Sequence, residues 1–431
     1  TPGPRGLDQD RQSLDFVRKF QQYTGPVMAK GLEDTAFYIY NRLVSLNEVG
    51  DEPHRFGVAV DAFHAANRLR AERWPHAMLN TSTHDSKRSE DVRARIDVLS
   101  EMVPAWEQAV DRWHRLNADR KTRVGGKPAP SRNDEYALYQ NLLGIWPLAE
   151  VDEAGLERLR GRFIEYTLKA VREAKVHTSW LNRNQAYEDA ITAFIEQLLD
   201  PADRAFVDDF AAFARTVARF GLFNSLSQLL VKLTAPGIPD TYQGSEIWQF
   251  RLVDPDNRRP VDWHDLGERF RSLQELLAGD DPPLAERLGA LLDHPADGRV
   301  KMYTLWRTLN CRREHEQLFA QGSYLPLRAQ GPAADHLFAF ARVHRQYTVL
   351  VCVPRLVARL QETTGERLAL DGERFGETTL PVPDHLAGLR LQNLFCGTGF
   401  TVPTKNNPAL RAADLFRHFP VALLVADTGP S

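Results

Sequence analysis

The sequence predicts an α/β protein that carries a large helical segment and a C-terminal antiparallel β domain. Short apolar runs followed by polar loops and helices open the chain, an almost wholly helical pattern covers 97–220, and alternating β-branched runs begin near residue 325. Because 431 residues exceed the length at which one core usually stops growing, we expect several domains. The predicted units are 1–96 and 221–324 for the α/β part, 97–220 for a helical insertion and 325–431 for the β domain.

The first hundred residues contain two units of strand, polar loop and helix. Such units are typical of α/β folds, in which reactive residues follow the carboxyl ends of strands. The predicted elements are a helix over 8–22, a break at 24–26, a strand at 27–29, a helix over 37–46, a strand at 76–82, a loop over 83–91 and a helix from residue 92.

The rest of the chain changes character twice. Aromatic residues at helical spacing between 97 and 220, Trp106 and Trp113 among them, are explained by core packing. A further apolar helix is predicted over 223–233, and a short strand with a long polar loop follows it. The predicted strands of the β domain are 337–343, 347–353, 389–395 and 422–427.

Composition excludes several classes of function. With 54 basic and 57 acidic residues the formal charge is −3, which offers no field for nucleic acid or for an anionic membrane. No apolar run reaches the length of a membrane span, and the N-terminus lacks the order of a signal peptide. The widely spaced Cys311, Cys352 and Cys396 predict neither a disulfide framework nor a zinc site, so the expected compartment is the cytoplasm.

The pair His84-Asp85, in NTSTHDSKRSED, is the first candidate site. It follows a predicted strand at the end where barrel enzymes assemble their reactive groups. Alternatively, the aspartate caps the following helix. Four charged residues come next, and they could belong to the site or form a solvated helix start that complements the helix dipole. These are Lys87, Arg88, Glu90 and Asp91.

A second candidate lies in AKGLEDTAFY. Its polar residues could contact a ligand, or they could form a helix cap and an internal lysine–carboxylate pair. Neighbouring carboxylates at a helix start point in different directions, so they are not a natural acid/base pair. The residues concerned are Lys30, Glu33, Asp34 and Tyr38.

A third candidate is PDTYQGSEIW with DPDNRRPVDW. Hydrogen-bonding groups interleaved with aromatic faces suit a neutral polyhydroxyl ligand, although the loop could instead be held by its own Asp–Arg pairs. A calcium loop is rejected, because the segment lacks the required glycine and glutamate and carries two arginines. The residues are Tyr242, Gln243, Glu246, Trp248, Asp254, Asp256, Asn257, Arg258 and Arg259. Trp74, Trp180, Trp248 and Trp263 could stack on a sugar or pack in the core.

Common motifs for other chemistries are absent. The chain has no GxSxG, HExxH, P-loop or GxGxxG sequence. The sequence therefore gives no motif-based support for ester hydrolysis, nucleotide binding or nicotinamide chemistry.

Four segments together resemble the maltooligosyltrehalose synthase family of the α-amylase superfamily: VMAKGLEDTAFY, NTSTHDSKRSEDVRARI, PGIPDTYQGSEIW and LVDPDNRRPVDW. The resemblance implies the C-terminal part of a (β/α)8 TIM barrel, with the helical insertion and the C-terminal antiparallel β domain. It implies an isomerase of trehalose biosynthesis, a (1→4)-α-D-glucan 1-α-D-glucosylmutase. Such an enzyme converts the reducing-end α-1,4 bond of a maltooligosaccharide into an α,α-1,1 bond by intramolecular transglucosylation, without a cofactor or a metal.

The resemblance also implies roles for single residues. An aspartate attacks the anomeric carbon and a glutamate protonates the leaving oxygen, as in retaining glycosidases. Asp85 matches the third catalytic carboxylate, which stabilises the transition state, and His84 matches the histidine that binds the same sugar. The remaining predicted substrate-binding residues are Lys30, Glu33, Lys87, Arg88, Tyr242, Gln243, Glu246, Asp256, Asn257 and Arg258.

The nucleophile and acid/base motifs of the family are missing from this sequence. We therefore expect a C-terminal portion, cut before Gln9, that is inactive alone and is completed by an N-terminal portion of the same enzyme. The expected pathway partner is maltooligosyltrehalose trehalohydrolase. The alternatives are a hydrolytic or glucan-transferring α-amylase relative and a non-catalytic carbohydrate-binding fragment.

Overall fold

A computed structural model describes residues 7–279, 282–362, 365–404 and 407–426, with the side chains described from residue 10 onward. It is a mixed helix and sheet structure, as predicted. The turn-rich opening before Gln9, where a cut was expected, lies largely outside the described residues. No described helix combines the length and the apolar character needed to cross a membrane.

The first part of the chain contains less regular strand than predicted. Its elements are α1 Leu7–Met28, α2 Val60–Arg73, β1 Met78–Leu79 and α3 Glu90–Asp97. The first helix is confirmed, but the break at 24–26 and the strand at 27–29 are wrong, because α1 continues through Pro26 and passes into a π-helical turn at Ala29–Glu33. Proline removes only one backbone donor, so it weakens this helix without ending it.

The predicted helix over 37–46 is also wrong. Two 3-10 turns, Ala36–Tyr38 and Val44–Leu46, lie in an otherwise irregular segment. Side-chain amides satisfy the backbone there: Asn47 Nδ2 donates to the carbonyl oxygens of Phe37 and Tyr40 at 2.8 and 2.7 Å. Gln140 Oε1 accepts from the amide of Val44 at 2.9 Å. The apolar residues are buried without a helix because these amides take over the hydrogen bonds.

The predicted helical character of 97–220 is confirmed. Its elements are α4 Val103–Leu116, β2 Thr122–Val124, β3 Lys127–Ala129, α5 Arg132–Ile145, α6 Glu153–Ala174, α7 Gln185–Leu198 and α8 Arg204–Thr234. Trp106 and Trp113 are buried among other aromatic rings, as core packing predicted. The helix expected over 223–233 is the second half of α8, which crosses the predicted boundary at 220; the division into domains stays a prediction.

The helix α8 crosses α3 at very short range. A Cβ atom on Gly221 would lie 2.8 Å from the Cα atom of Arg95. Only glycine allows the two backbones to approach this closely. The helix ends at Ala235, where Arg342 Nη1 donates to the carbonyl oxygen of Thr234 at 3.0 Å.

A short parallel strand pair follows α8. The strand β4, Ile238–Pro239, pairs with β1, so that the amide of Ile238 donates to Ala77 and that of Asp240 to Leu79 at 2.9 and 2.8 Å. The strand predicted at 76–82 is thus shortened to two residues. Among the described residues, these two strands pair only with each other.

The remaining elements are helical up to Gln321 and mainly strand after it. They are α9 Trp263–Leu277, α10 Leu284–Arg287, α11 Gly289–Asp293, α12 Arg299–Glu314, α13 Glu316–Gln321, β5 Ser323–Leu327, β6 Leu337–His344, β7 Tyr347–Pro354, α14 Val357–Leu360, β8 Thr379–Pro381, β9 Arg390–Asn393, β10 Gly399–Thr401, β11 Ala409–Arg411, α15 Ala412–Leu415 and β12 Ala422–Ala426.

The β elements form an antiparallel sheet in the order β10-β9-β12-β7-β6-β5, and β11 pairs with β8 beside it. The four strands predicted in this region are confirmed, and their bounds agree within one or two residues. For β12 the comparison extends only to residue 426, the last one described. Both faces of β7 are buried, and one continuous apolar core runs from the helices into the sheet.

We predict that Gly221→Ala lowers the free energy of unfolding by about 1–3 kcal/mol, because the added methyl group overlaps the backbone of α3. Gly161→Ala is the matched control. Gly161 lies within α6, and no atom comes within 4 Å of the place that a methyl group would take there. Alanine at 161 should therefore stabilise the protein by up to about 1 kcal/mol through helix propensity. Urea unfolding of both variants measures the difference, and equal effects would contradict the tight crossing.

A partly buried carboxyl group joins the helical part to the β domain. Glu101 Oε2 accepts from the amide of Ala358 at 3.0 Å, and the Ser100 carbonyl accepts from Arg359. Burial raises the pKa of Glu101 to about 7, despite those backbone hydrogen bonds. The folded state therefore holds its proton while the unfolded state loses it above its ordinary value near 4.5.

From this we predict that stability falls as the pH rises from about 4.5 to 7, by roughly 3 kcal/mol for this group. Glu101→Gln should flatten that part of the profile and leave the variant more stable than the parent at pH 8. Urea unfolding at several pH values measures it. An unchanged slope in the variant would assign the pH dependence to other groups.

Candidate functional site

The turn that carries His84 and Asp85 lies just beyond the carboxyl end of β1. Its shape is fixed by local hydrogen bonds: the Thr83 amide donates to Ser86 Oγ at 2.8 Å, and the Asp85 amide donates to Thr83 Oγ1 at 3.1 Å. The predicted position of the pair, after a strand and before a helix, is confirmed.

His84 and Asp85 are exposed, whereas each residue from Ser86 to Asp91 is buried. Within the described part of the chain, neither side chain forms a hydrogen bond or an ion pair, so the alternative that Asp85 caps the next helix is wrong. An exposed carboxylate with all its lone pairs free, next to an exposed imidazole, can accept hydrogen bonds from a ligand and offset positive charge. The assigned roles of the two residues stay predictions.

The residues after this pair do not form a solvated helix start. Glu90 and Asp91 are 2% and 1% exposed. Lys301, from α12, donates from Nζ to both of their carboxylates at 2.8 Å, and Lys232 Nζ lies 3.4 Å from Glu90. Sequence patterns missed both lysines because they lie 142 to 211 residues from their partners.

The pKa values in this cluster of Glu90, Asp91, Lys232 and Lys301 shift in different directions. Burial raises the pKa of Asp91 and lowers that of Lys232, whereas Glu90 and Lys301 shift towards their charged forms. Burial would raise the pKa of Glu90, but the charges of Lys301 and Lys232 lower it to about 2. Burial would lower the pKa of Lys301, but the charges of Asp91 and Glu90 raise it instead. Removing either sign alone would leave an unpaired charge in the interior.

The cluster also fixes the two loops beside it. Glu90 accepts from the Thr81 hydroxyl at the end of β1, and its backbone amide donates to Ser82 Oγ at 2.8 Å. Asp91 Oδ2 accepts from the amide of Gln249 at 2.7 Å, in the loop after β4. The start of α3 therefore holds the loop that leaves β1 and the loop after β4.

Lys87 and Arg88 are buried as well, so the interpretation that they lie on the surface is wrong. Both backbone amides donate to Glu48, at 2.9 and 3.2 Å. Arg88 Nε donates to Asn141 Oδ1 at 2.7 Å, and its Nη2 donates to Tyr166 at 3.2 Å. These contacts join the loop to the helical part, and a ligand contact for either residue stays a prediction.

Asp34 lies between two lysines. Lys87 Nζ is 2.9 Å from Oδ1, and Lys30 Nζ is 2.5 Å from Oδ2. Burial opposes ionisation of Asp34, but hydrogen bonds from Lys30 and Lys87 lower its pKa. The predicted internal lysine–carboxylate pair is thus confirmed. Lys30 itself is exposed, Glu33 is half-exposed and Tyr38 is buried.

The DPDNRRP loop is held by its own ion pairs, which was the alternative to ligand contact. Asp256 accepts from Arg162 at 3.0 and 2.8 Å and lies 3.0 Å from Arg259 Nε. Burial would raise the pKa of Asp256, but the hydrogen bonds from Arg162 lower it. Arg258 forms an exposed pair with Asp254 at 3.0 Å.

Asn257 joins this loop to the His84-Asp85 turn. Its Nδ2 lies within hydrogen-bonding distance of three carbonyl oxygens of the turn, that of His84 at 3.0 Å and those of Thr83 and Ser86 at 3.4 Å. Tyr242 donates to the Asn257 carbonyl at 3.2 Å. The remaining cavity here measures about 10 Å³, room for about one water.

The other predicted residues are spread around this loop. Gln243 is exposed and Glu246 is half-buried. Trp248 is buried and donates to the Pro295 carbonyl at 2.6 Å, which makes it a core residue. Among the described residues, no group of His, Cys, Asp and Glu side chains is arranged to hold a metal ion.

Comparison with known proteins gives a consistent result. No protein-family model matches the chain. Over 410 residues, 95% of its length, it is 40% identical to proteins of two Mycobacterium tuberculosis strains that are provisionally named maltooligosyl trehalose synthase. The match covers 45% of those proteins, so the chain spans a little under half of their length.

Solved structures agree. The maltooligosyltrehalose synthase of Arthrobacter ramosus matches 95% of this chain with a TM-score of 0.76 and 34% identity, over 46% of its own length. A hypothetical maltooligosyl trehalose synthase of Sulfolobus tokodaii matches 99% with a TM-score of 0.68 and 28% identity, over 51% of its own length.

We predict that the two lysines on Asp34 differ in their effect on stability. Lys87→Met removes the buried partner and should lower the free energy of unfolding by about 2 kcal/mol, since Asp34 is itself largely buried. Lys30→Met removes a partner whose side chain is 75% exposed, so the change should stay below about 0.5 kcal/mol. Urea unfolding of both variants is the measurement, and similar losses would contradict the assignment of Lys87 to the fold.

Proposed function

We propose, from the premise that this chain belongs to the maltooligosyltrehalose synthase family, that it supplies part of an intramolecular glucosylmutase. The enzyme would convert the reducing-end α-1,4 bond of a maltooligosaccharide into an α,α-1,1 bond. The observation that carries the proposal is the His84-Asp85 turn. Asn257 holds the backbone of this turn by a hydrogen bond, while both of its side chains are exposed to solvent. The substrate is neutral, in keeping with the small net charge of the chain.

Asp85 would act on the transition state of glycosyl transfer. As the C1–O4 bond breaks, positive charge develops on the anomeric carbon and the ring oxygen of the donor sugar. A fixed carboxylate near that charge stabilises it without reorganisation, and it can also accept hydrogen bonds from the sugar hydroxyls. His84 would bind the same sugar. Asn257 is a positioning residue, because it acts on the turn and not on the ligand.

The reaction balances without a co-reactant. The bond from the donor C1 to O4 of the terminal glucose breaks, and a bond from the same C1 to O1 of that glucose forms. The glucose must therefore stay in place and turn before water reaches the intermediate. Among the predicted residues with partly or fully exposed side chains, Lys30, Glu33, Gln243 and Glu246 could hold it.

The chain would need a second portion to complete the site. We propose that β1 and β4 are two strands of a (β/α)8 barrel, and that the nucleophile and the acid/base come from an N-terminal portion of the same enzyme. In support, Met78 and Ile238 on this strand pair are 67% and 48% exposed. The relatives are also about twice as long as the matched region. We expect the product to pass to maltooligosyltrehalose trehalohydrolase in the cytoplasm.

The exposed surface of α1 is consistent with such a second portion. Apolar and aromatic side chains lie along this helix and are between 47% and 71% exposed. They are Leu14, Phe16, Val17, Phe20, Tyr23, Val27 and Met28. A groove of about 600 Å³ lies beside β1 and is partly lined by Phe63, Met78 and Phe338. Binding of the N-terminal portion would cover this groove as well.

The test is to co-express this chain with the part of the M. tuberculosis relative that the match leaves uncovered, and to assay maltopentaose. We expect reducing ends to disappear without an equal release of glucose, and Asp85→Asn to slow the reaction by about 10³-fold or more. The chain alone should bind maltopentaose without converting it.

Asp119→Asn is the matched control, since Asp119 is an exposed aspartate of the helical part. It should leave the rate unchanged. Glucose release in proportion to bond cleavage would instead favour the hydrolytic α-amylase relative. Full activity of Asp85→Asn would remove Asp85 from the mechanism, and conversion by the chain alone would overturn the two-portion proposal.

A further inference from the structure

The loop between α6 and α7 exposes apolar side chains beside the candidate site. Val176, Trp180 and Leu181 are 57%, 51% and 94% exposed. A surface loop of this length normally presents polar groups, and a single exposed apolar residue needs no explanation. Three within six residues, including a tryptophan, mark a contact surface.

The loop is held in one shape by a buried carboxylate. Glu188 accepts from Arg172 at 3.0 and 2.7 Å and from the Thr178 hydroxyl at 2.8 Å. Thr178 Oγ1 in turn accepts from the amide of Asn184 at 3.0 Å. Hydrogen bonds from Arg172 lower the pKa of Glu188 to about 2, so this anchor stays ionised at neutral pH.

A second set of contacts closes the turn. The amide of Ser179 donates to the Asn182 carbonyl at 3.1 Å, and the amide of Asn182 donates to Ser179 Oγ at 2.9 Å. Trp180 and Leu181 therefore lie at the tip of a tight turn with fixed ends. A preordered surface loses little conformational entropy when a ligand binds to it.

Trp180 keeps 51% of its surface exposed although a guanidinium group lies over its ring. This group, from Arg172, is 4.9 Å from the ring centroid. The apolar face of a pyranose ring suits an exposed aromatic ring, and the sugar hydroxyls at its edge need hydrogen-bonding partners. Asn182, two residues further along the chain, has an exposed side chain that can provide them, whereas Arg183 is already paired with Glu188.

The loop also adjoins the rim of the candidate site. Lys175 Nζ donates to Thr35 Oγ1 at 2.6 Å, and the Thr35 hydroxyl donates to the Lys30 carbonyl at 2.7 Å. Lys30 lies within electrostatic range of Asp85, whose charge helps to raise the Lys30 pKa, after the larger effect of Asp34. Contacts thus lead from Lys175, at the start of the loop, to Lys30, which lies within electrostatic range of Asp85.

We infer that the 176–183 loop is an outer subsite for an α-1,4-glucan chain, with Trp180 as its stacking platform. The identity of the ligand rests on the proposed function. The subsite would bind sugar units several residues away from the bond that reacts. It would therefore favour long maltooligosaccharides over short ones and leave the binding of the reducing end unchanged.

The experiment is calorimetric titration of this chain with maltoheptaose and with maltotriose. Trp180→Ala should weaken maltoheptaose binding about tenfold, as expected for loss of one stacking contact. Maltotriose binding should change less than twofold. Trp180→Phe keeps a ring and should recover most of the loss. Phe56→Ala is the matched control, because Phe56 is likewise an exposed ring, at 49%, with an arginine over it, and it belongs to none of the candidate sites.

The outcomes separate this inference from the proposed function. If Asp85→Asn weakens both sugars while Trp180→Ala weakens neither, the platform is overturned and the proposed function stands. An equal loss for both sugars in Trp180→Ala also overturns it. If Trp180→Ala weakens assembly with the other portion but not sugar binding, the loop is a protein contact. A parent chain that binds neither sugar overturns both proposals.

Discussion

The ion cluster around Lys301 is the interaction on which the rest of the site depends. A lysine with no exposed surface bridges two carboxylates at the first turn of α3, and a second lysine neutralises the remaining charge. Through those carboxylates the cluster fixes the end of β1 and the loop after β4. Buried ion pairs contribute little net stability, but they enforce one arrangement, since every alternative leaves a charge unpaired.

Around this cluster, side-chain amides replace regular secondary structure. Asn47 and Gln140 satisfy the backbone of the irregular segment before α2, and Asn257 holds the turn that carries His84 and Asp85. Each of these amides is buried. Buried hydrogen bonds thus fix the backbone of the turn, and the two side chains it carries are exposed and unpaired. A preorganised site requires this arrangement, in which supporting residues hold the groups that contact the ligand.

The parts predicted correctly from sequence were those set by local periodicity. The helices between 97 and 220 and the four β-domain strands follow apolar patterns that one face of an element must bury. The strand at 27–29 was wrong and the one at 76–82 was too long, because two or three apolar residues do not determine an element. Within the site, the motif predicted the positions of His84 and Asp85 correctly. It could not predict that the charged residues after them are buried, because their partners are distant in sequence; these residues are Lys87, Arg88, Glu90 and Asp91.

That distance has a consequence for synthesis on the ribosome. Glu90 precedes Lys301 by 211 residues, which take about 10–40 s to translate at 5–20 residues per second. Until then the nascent chain contains two acidic groups whose burial would be unfavourable, so the first turn of α3 has to stay hydrated. The helical part can pack around its aromatic residues in the meantime. The rim with His84 and Asp85 therefore becomes ordered late, after α12 has emerged.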